Sequence, residues 1–284
     1  MRKTRKIKLT KAGKIFLRIV LFILFLFIVW WYNNYTLKTN HVEITSGKIN
    51  NPVRIAVISD THSTKHGISN RTILKRVRKA NPDMVLILGD MYTRNSPPEI
   101  IQIPIDLTSD IISEGYPVYF VTGDHDTDQS YIDLMVQTGA ELMNYNSEIL
   151  NINGNNIQLF GIDNVYYSPT FNLHNAFSLN PECYSILMAH IPNYEKFADF
   201  GTDLTVCADT HGGMVQLPYF GAMIDSGSMQ LFPELHGTEV YDKGFFDYSG
   251  GTMFITSGIG VSPLPVRFNN RPEIVIMDIK SEVK

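Results

Sequence analysis

With 284 residues, 44% of them apolar, the chain can bury one sizeable core, and its two cysteines exclude a disulfide-built scaffold. The net charge of −4 hides a division: eight basic residues precede Ile19, and the chain from Ile19 onward carries 16 basic against 28 acidic residues, a formal −12. So acidic a surface argues against nucleic acid as a partner.

In chain order, residues 1–14 read as a basic tail and 15–35 as a membrane-crossing segment. From Ile15 to Tyr32 the only charge is Arg18, whose long stem lets its head reach lipid headgroups, and the length suits a bilayer core of about 30 Å. Trp30, Trp31 and Tyr32 suit the opposite interface. A cleaved signal peptide shares this basic and apolar pattern, but residues 33–40 lack a small-x-small cleavage site, which favours an uncleaved anchor. A buried core helix conflicts with the dense basic flank. The Lys and Arg distribution then predicts a cytoplasmic amino terminus at the cell membrane, with the rest of the chain outside.

Polar residues 36–51 read as a linker and 52–284 as one folded domain. Buried strands are expected at 53–59, 84–88 and 118–122, which are rich in Val, Ile and Leu and bounded by turn residues. Helices fit 69–80, capped by Ser69 or Asn70, then 98–114 with an interruption around Pro104, and 127–138. This alternation predicts a largely parallel sheet covered on both faces. Beyond Glu141 the segments shorten, and a second sheet of mixed direction is expected from 184–189, 204–208, 253–257 and 274–279, with a helix at 194–200. Cys183 starts one of these strands and Cys207 nears the end of another, too far apart to bridge if the strands are parallel neighbours, so both are expected as free buried thiols.

Five motifs come directly after apolar strands: Asp60-Thr61-His62, Gly89-Asp90, Gly123-Asp124-His125-Asp126, His190 and Asp209-Thr210-His211. Carboxylates and imidazoles at the carboxyl ends of strands converge on one crevice. Such a set can hold two divalent ions while leaving coordination positions open, one carboxylate touching both. A lone Asp-x-His arises by chance in many loops; the ordered set is a far stronger signal.

The order of these motifs resembles the calcineurin-like metallophosphoesterase family, over roughly residues 53–279. The stretches 210–218, 257–262 and 265–273 look like its membrane-anchored bacterial branch, similar to single-span phosphodiesterases and UDP-2,3-diacylglucosamine pyrophosphatase-type enzymes. The resemblance implies an α/β fold, a four-layer sandwich of two mixed β-sheets flanked by helices, here preceded by one N-terminal transmembrane helix. It implies that Asp60, His62 and His211 hold a first ion, that Asp90 bridges, and that Asp124, His190 and Asp209 hold a second. A hydroxide between the ions attacks phosphorus, His125 protonates the leaving oxygen as general acid, and Asp126 fixes the tautomer of His125. The implied activity is hydrolysis of a phosphodiester or pyrophosphate bond, with a phosphorylated small molecule or a lipid-linked compound as substrate.

Two positions depart from the family pattern. Asp124 stands where the family has Asn, and Asp209 where it has the first His of Gly-His-x-His, whose glycine is Ala208 here. Four carboxylates then cancel the whole formal charge of two divalent ions, where the usual pattern cancels half. Oxygen-rich ligation favours Mn or Fe over Zn, and phosphate is held less strongly. Arg267, Arg271 or Arg94 can compensate by clamping phosphate, although Arg267 has an ion pair with an acid such as Glu273 as its plainer role. The alternative is a catalytically weakened or inactive envelope protein that binds a phosphorylated ligand or partner with the same fold. His66 either reaches the crevice or sits in solvent. Tyr166, Tyr167, Tyr219, Phe220, Phe245 and Phe246 either line an apolar groove beside the ions or pack in the core. Nothing in the sequence speaks to oligomeric state.

Overall fold

The computed structural model describes residues 10–163, 170–224, 230–237, 240–262 and 265–282. Helix α1 (Lys11–Tyr35) starts at Thr10, whose hydroxyl oxygen accepts the Gly13 amide at 3.1 Å. By length and composition α1 can cross a membrane, and its apolar stretch is exposed until its last turns, where Trp30 Nε1–H donates to Pro265 O at 2.7 Å. Its 25 residues span about 37 Å at 1.5 Å per residue.

The first half of the domain contains β1 (Lys38–Ser46), β2 (Val53–Ile58), α2 (Asn70–Ala80), β3 (Met84–Ile87), α3 (Pro98–Ser113), β4 (Val118–Phe120), α4 (Gln129–Gln137) and β5 (Glu141–Leu142). The second half contains β6 (Asn146–Ile152), β7 (Asn155–Ile162), α5 (Leu173–Ala176), β8 (Tyr184–Ala189), α6 (Tyr194–Phe200), β9 (Leu204–Cys207), a short β10–β11 hairpin (Gln216–Leu217 with Gly221–Ala222), β12 (Gly244–Tyr248), β13 (Gly251–Ile255) and β14 (Glu273–Ser281).

Two six-stranded mixed sheets result, ordered β1-β14-β2-β3-β4-β5 and β12-β13-β9-β8-β7-β6. Side-chain alternation assigns the layers. On β2, Ile55 and Val57 face the second sheet and join Ile186, Met188, Leu204 and Val206 in the central core. Ala56 and Ile58 face the other way, onto Ile73, Leu74 and Val77 of α2 and Ile111 of α3. Phe160, Leu187 and Ile255 likewise turn outward to meet Phe197 and Phe200 of α6. The sandwich of two mixed sheets between helices is thus present. Cys183 and Cys207 are free and buried, and α3 runs unbroken through Pro104.

Two expectations need correcting. The stretch 36–51, expected as a linker, carries β1, which pairs in parallel with β14 from Lys38↔Glu273 to Ser46↔Ser281. This is an edge strand whose Thr, Asn and Glu residues break the apolar signal, and only Val42 and Ile44 pack against the core. The strand at 274–279, assigned to the second sheet, lies in the first, where β14 runs antiparallel to β2 with Val275 opposite Val57. Continuous apolar character reports burial on both faces but does not say which sheet receives the strand.

Candidate metal centre

Strands β2, β3 and β4 from one sheet and β8 and β9 from the other deliver their C-terminal loops to one crevice. The backbone there is unusual: Asp60, His62, Asp90, Asp209 and His211 all have positive φ, between 37° and 68°. Left-handed conformations at non-glycine residues cost energy and cluster where the surroundings impose them. Here the surroundings are interlocking loops. The Asp60 amide donates to Gly89 O and the His62 amide to Asp90 O, both at 3.0 Å, and the Asp209 amide donates to Asp60 Oδ1 at 3.2 Å. Gly89 and Gly123 allow this approach, since a Cβ on Gly89 would lie 2.3 Å from the Gly123 nitrogen, and one on Gly123 would lie 2.1 Å from Asp90 Oδ1.

The crevice has two halves. In the first, Asp60, His62 and His211 each offer a ligand atom, all within 4.8 Å of one another. His62 and His211 approach through Nε2 at 3.2 Å, and His62 Nδ1 meets Thr93 Oγ1 at 3.2 Å. Burial pulls His62 down to about 4 against the pull of Asp90, and burial together with Arg267 holds His211 well below its ordinary range. Both rings are therefore neutral at neutral pH.

The second half centres on His190, which is fully buried. Its Nδ1–H donates to Leu88 O at 2.6 Å, and its Nε2 makes no hydrogen bond. Around that nitrogen stand Asp90 Oδ2 at 3.5 Å, Asp209 Oδ1 at 3.7 Å, Asp124 Oδ1 at 3.8 Å and Asp60 Oδ1 at 4.0 Å. Burial depresses the imidazole, but Asp90, Asp60 and Asp209 outweigh it and push His190 up to about 10. The carboxylates around Nε2 thus favour the protonated ring. Burial also pushes Asp60 up to about 7 and Asp209 to about 6, each eased by His190. Asp90 ends below the usual carboxylate range because His190 and the His125 amide outweigh its burial.

This chemistry fits divalent ions. An orphaned buried imidazole nitrogen ringed by carboxylate oxygens is a ligand set awaiting a cation. Two Nε2 atoms 3.2 Å apart suit neighbouring ligands on one ion with bonds of about 2.1 Å. Asp124 and Asp209, shorter than the histidine the second position replaces, still reach the centre. Asp60 faces both halves, beside Asp90 and His190 as well as beside His62 and His211.

At the rim, 30% of the His125 side chain is exposed and its Nε2 lies 4.0 Å from Asp90 Oδ2. The expected pairing with Asp126 is absent and must be corrected. His125 Nδ1 instead accepts the Arg94 backbone amide at 2.8 Å. Asp126 points inward, where it accepts the amides of Asp90 at 2.7 Å, Gly123 at 3.0 Å and Met91 at 3.2 Å. Burial and the Asp90 charge raise its carboxyl to about 7 against those amides. Asp126 therefore holds the backbone of the Asp90 and Gly123 loops from inside the fold.

The three arginines also separate. Arg267, only 2% exposed, neither clamps a ligand nor pairs directly with Glu273; it donates to the carbonyls of Ser257 at 2.6 Å and Gly260 at 2.8 Å. Burial lowers it to about 10, opposed by Asp60 and Glu273. Arg271 bonds Thr36 and Tyr32. Arg94 remains exposed at the rim, its guanidinium donating to the Asp124 carbonyl.

A cavity of about 420 Å³ opens beside His62 and Thr93 and extends to Tyr35 at the end of α1, with exposed His66 on its wall. Its wall includes none of Tyr219, Phe220, Phe245 and Phe246. Tyr219 and Phe220 are exposed, while Phe245 packs on Phe254 and Phe246 on Tyr241. Tyr166 and Tyr167 lie outside the described residues.

Sequence reasoning missed the groups that hold the candidate site residues: Leu88 O behind His190, Thr93 behind His62, the Arg94 amide behind His125, and Asn270, which donates to His211 O at 2.7 Å. Only Asn270 left a signal, as part of the stretch 265–273.

Residues 53–213 match the calcineurin-like phosphoesterase family, and the chain belongs to that family. It is similar to the metallophosphoesterase YkuE of Bacillus subtilis (strain 168), with 24% identity over 236 residues that cover 80% of this chain and 79% of that protein. With the metallophosphoesterase Cj0846 of Campylobacter jejuni it shares 27% identity over 292 residues, 97% of this chain and 74% of that one. Among solved structures, TT1561 of Thermus thermophilus covers 73% of this chain and 90% of its own at 8% identity and a TM-score of 0.47. The chain is therefore a hydrolase of phosphoric ester bonds, and its family implies divalent ions in the His/Asp cluster.

Proposed function

We propose that this phosphoesterase is held in the cell membrane by α1, with its amino terminus in the cytoplasm and its domain outside, and hydrolyses a phosphodiester or pyrophosphate bond at a two-ion centre. The observation that carries the reading is His190 Nε2, buried without a hydrogen bond amid four carboxylate oxygens at 3.5–4.0 Å. In this reading Asp60, His62 and His211 hold the first ion, Asp124, His190 and Asp209 the second, and Asp90 both. The oxygen-rich second half favours Mn or Fe over Zn. The ions, when bound, supply Lewis acidity toward the phosphoryl group.

The chain's own residues do the rest. Because His125 Nδ1 accepts the Arg94 amide, the neutral ring carries its proton on Nε2, toward the crevice. His125 in our reading therefore presents its Nε2–H to the departing oxygen. Arg94, exposed beside it, offers a guanidinium to the phosphate. Asp126 holds the Asp90 loop through three amides.

The cavity between Tyr35 and His62 supports a lipid-linked substrate, since it joins the end of the anchor to the first half of the centre. Full-length protein assayed on bis-p-nitrophenyl phosphate with Mn, Fe or Zn tests the activity; equal, background-level rates for wild type and His125→Ala with every metal would sink it. The lipid assignment is tested separately in mixed micelles: kcat/KM for a lipid-linked phosphodiester no higher than for its water-soluble headgroup analogue removes it.

A further inference from the structure

The last turn of α1 does more than attach the domain. Asn34 is 1% exposed, and its one amide side chain matches both backbone polar groups of Arg267: Oδ1 accepts the Arg267 amide at 2.8 Å and Nδ2 donates to the Arg267 carbonyl at 3.1 Å. Neighbouring bonds run the same way, Asn269 N–H to Asn33 Oδ1 at 2.9 Å and Trp30 Nε1–H to Pro265 O at 2.7 Å.

From Arg267 the chain of contacts continues into the crevice. Its guanidinium donates to the carbonyls of Ser257 and Gly260 and approaches His211 at both its carbonyl and Nδ1, each at 3.4 Å. The loop it grips in turn holds Asp60, because Ile259 N–H donates to Ser59 O at 3.0 Å and Gly260 N–H to Asp60 O at 2.5 Å. Asp60 and His211 are two of the three ligands in the first half. A guanidinium satisfied mainly by carbonyls is directional, since its planar fork fits one arrangement of acceptors. Fixing the backbone of Arg267 therefore fixes where those acceptors lie.

We propose that Asn34, at the membrane-side junction, is a positioning residue of the metal centre, setting the first half through Arg267; this rests on reading Asp60, His62 and His211 as metal ligands. The α1 segment is then part of the enzyme's working structure, whether or not it also anchors it.

The test uses the full-length protein in detergent micelles, titrated with Mn²⁺ alone by calorimetry, with amide exchange of residues 257–262 monitored in the metal-free protein. Asn34→Leu removes both bonds to Arg267 at similar volume. It should weaken binding of one of two ions by about 10–100-fold, as removal of a ligand's support commonly does, and speed exchange in the 257–262 loop. Thr36→Val, which removes the Arg271 bond of the same junction, should leave both readouts as in wild type. A folded Asn34→Leu protein with wild-type Mn²⁺ binding and exchange overturns the proposal, and so does an equal loss in Thr36→Val. If Asn34→Leu does not fold, Arg267→Lys, which keeps the charge and loses the fork, is read by the same two measures, and wild-type values overturn the proposal there. Wild-type protein that binds no Mn²⁺ overturns the metal reading itself, an outcome distinct from a variant that matches a metal-binding wild type.

Discussion

The two halves of the crevice solve the same problem with opposite chemistry. In the first, two neutral imidazoles, His62 buried and His211 half-buried, stand beside Asp60, whose carboxyl at about 7 is the group there that titrates near neutral pH. In the second, one imidazole is charged by its surroundings, and the flanking Asp124 and Asp209 side chains are 47% and 33% exposed. An ion entering the first half competes only with the Asp60 proton. One entering the second must displace a proton from His190, but it meets more negative charge and an open path to solvent. Burial alone does not tune a ligand; the sign of what surrounds it decides whether burial leaves it free or protonated.

Asp90 belongs to both halves, so its loss is the harshest test of the comparison. Asp90→Asn should lower kcat by roughly 10²–10³-fold or more and cut bound Mn²⁺ below that of wild type, measured by metal analysis of purified protein. Retention of two ions with near-normal turnover would mean that the halves work without a shared ligand. Next in size is His125→Ala, expected to lower kcat by about 10²-fold while leaving Mn²⁺ affinity within about twofold, since His125 faces the rim.

Proton uptake separates the halves directly. His190 at about 10 is protonated throughout the neutral range and must lose that proton for its nitrogen to bind an ion. Affinity of the second ion should therefore rise about tenfold per pH unit from about pH 7 to 10 and level off beyond that, with one proton released per ion. The first ion faces His62 at about 4 and Asp60 at about 7, so its affinity should climb only up to about pH 7 and then stay flat. Calorimetry in buffers of different ionisation enthalpy reads the protons released. Identical pH slopes for the two ions would erase the distinction.

Much of this was legible in the sequence, for a physical reason. Strands such as β3, buried on both faces, appear as unbroken apolar runs, and the residues just past their ends fall into the crevice because parallel strands end on the same side. What escaped notice leaves no pattern of its own. A polar edge strand such as β1 looks like a linker. The partner of His125 is a backbone amide, which any residue supplies. Asn34 and Arg267 are 233 positions apart, and neither residue by itself announces the other.

The mildest change bears on the departures from the family pattern. Asp124→Asn with Asp209→His restores the usual ligand types and removes two negative charges whose oxygens now stand within 3.8 Å of His190 Nε2. If those charges set the electrostatics, the double variant should favour zinc over manganese more than wild type does, because imidazole replaces a hard oxygen ligand. Inorganic phosphate should inhibit it about tenfold more strongly, since two charges a few ångströms from a bound anion near the surface contribute on the order of 1–2 kcal/mol after solvent screening. The His190 proton offers a third reading. With Asp209 gone, one of the carboxylates that raise it is lost, so the pH at which second-ion affinity levels off should move below about 10. An unchanged plateau, metal preference and phosphate inhibition together would show that exposure to water already screens Asp124 and Asp209, and that the second half owes its character to Asp90 and Asp60.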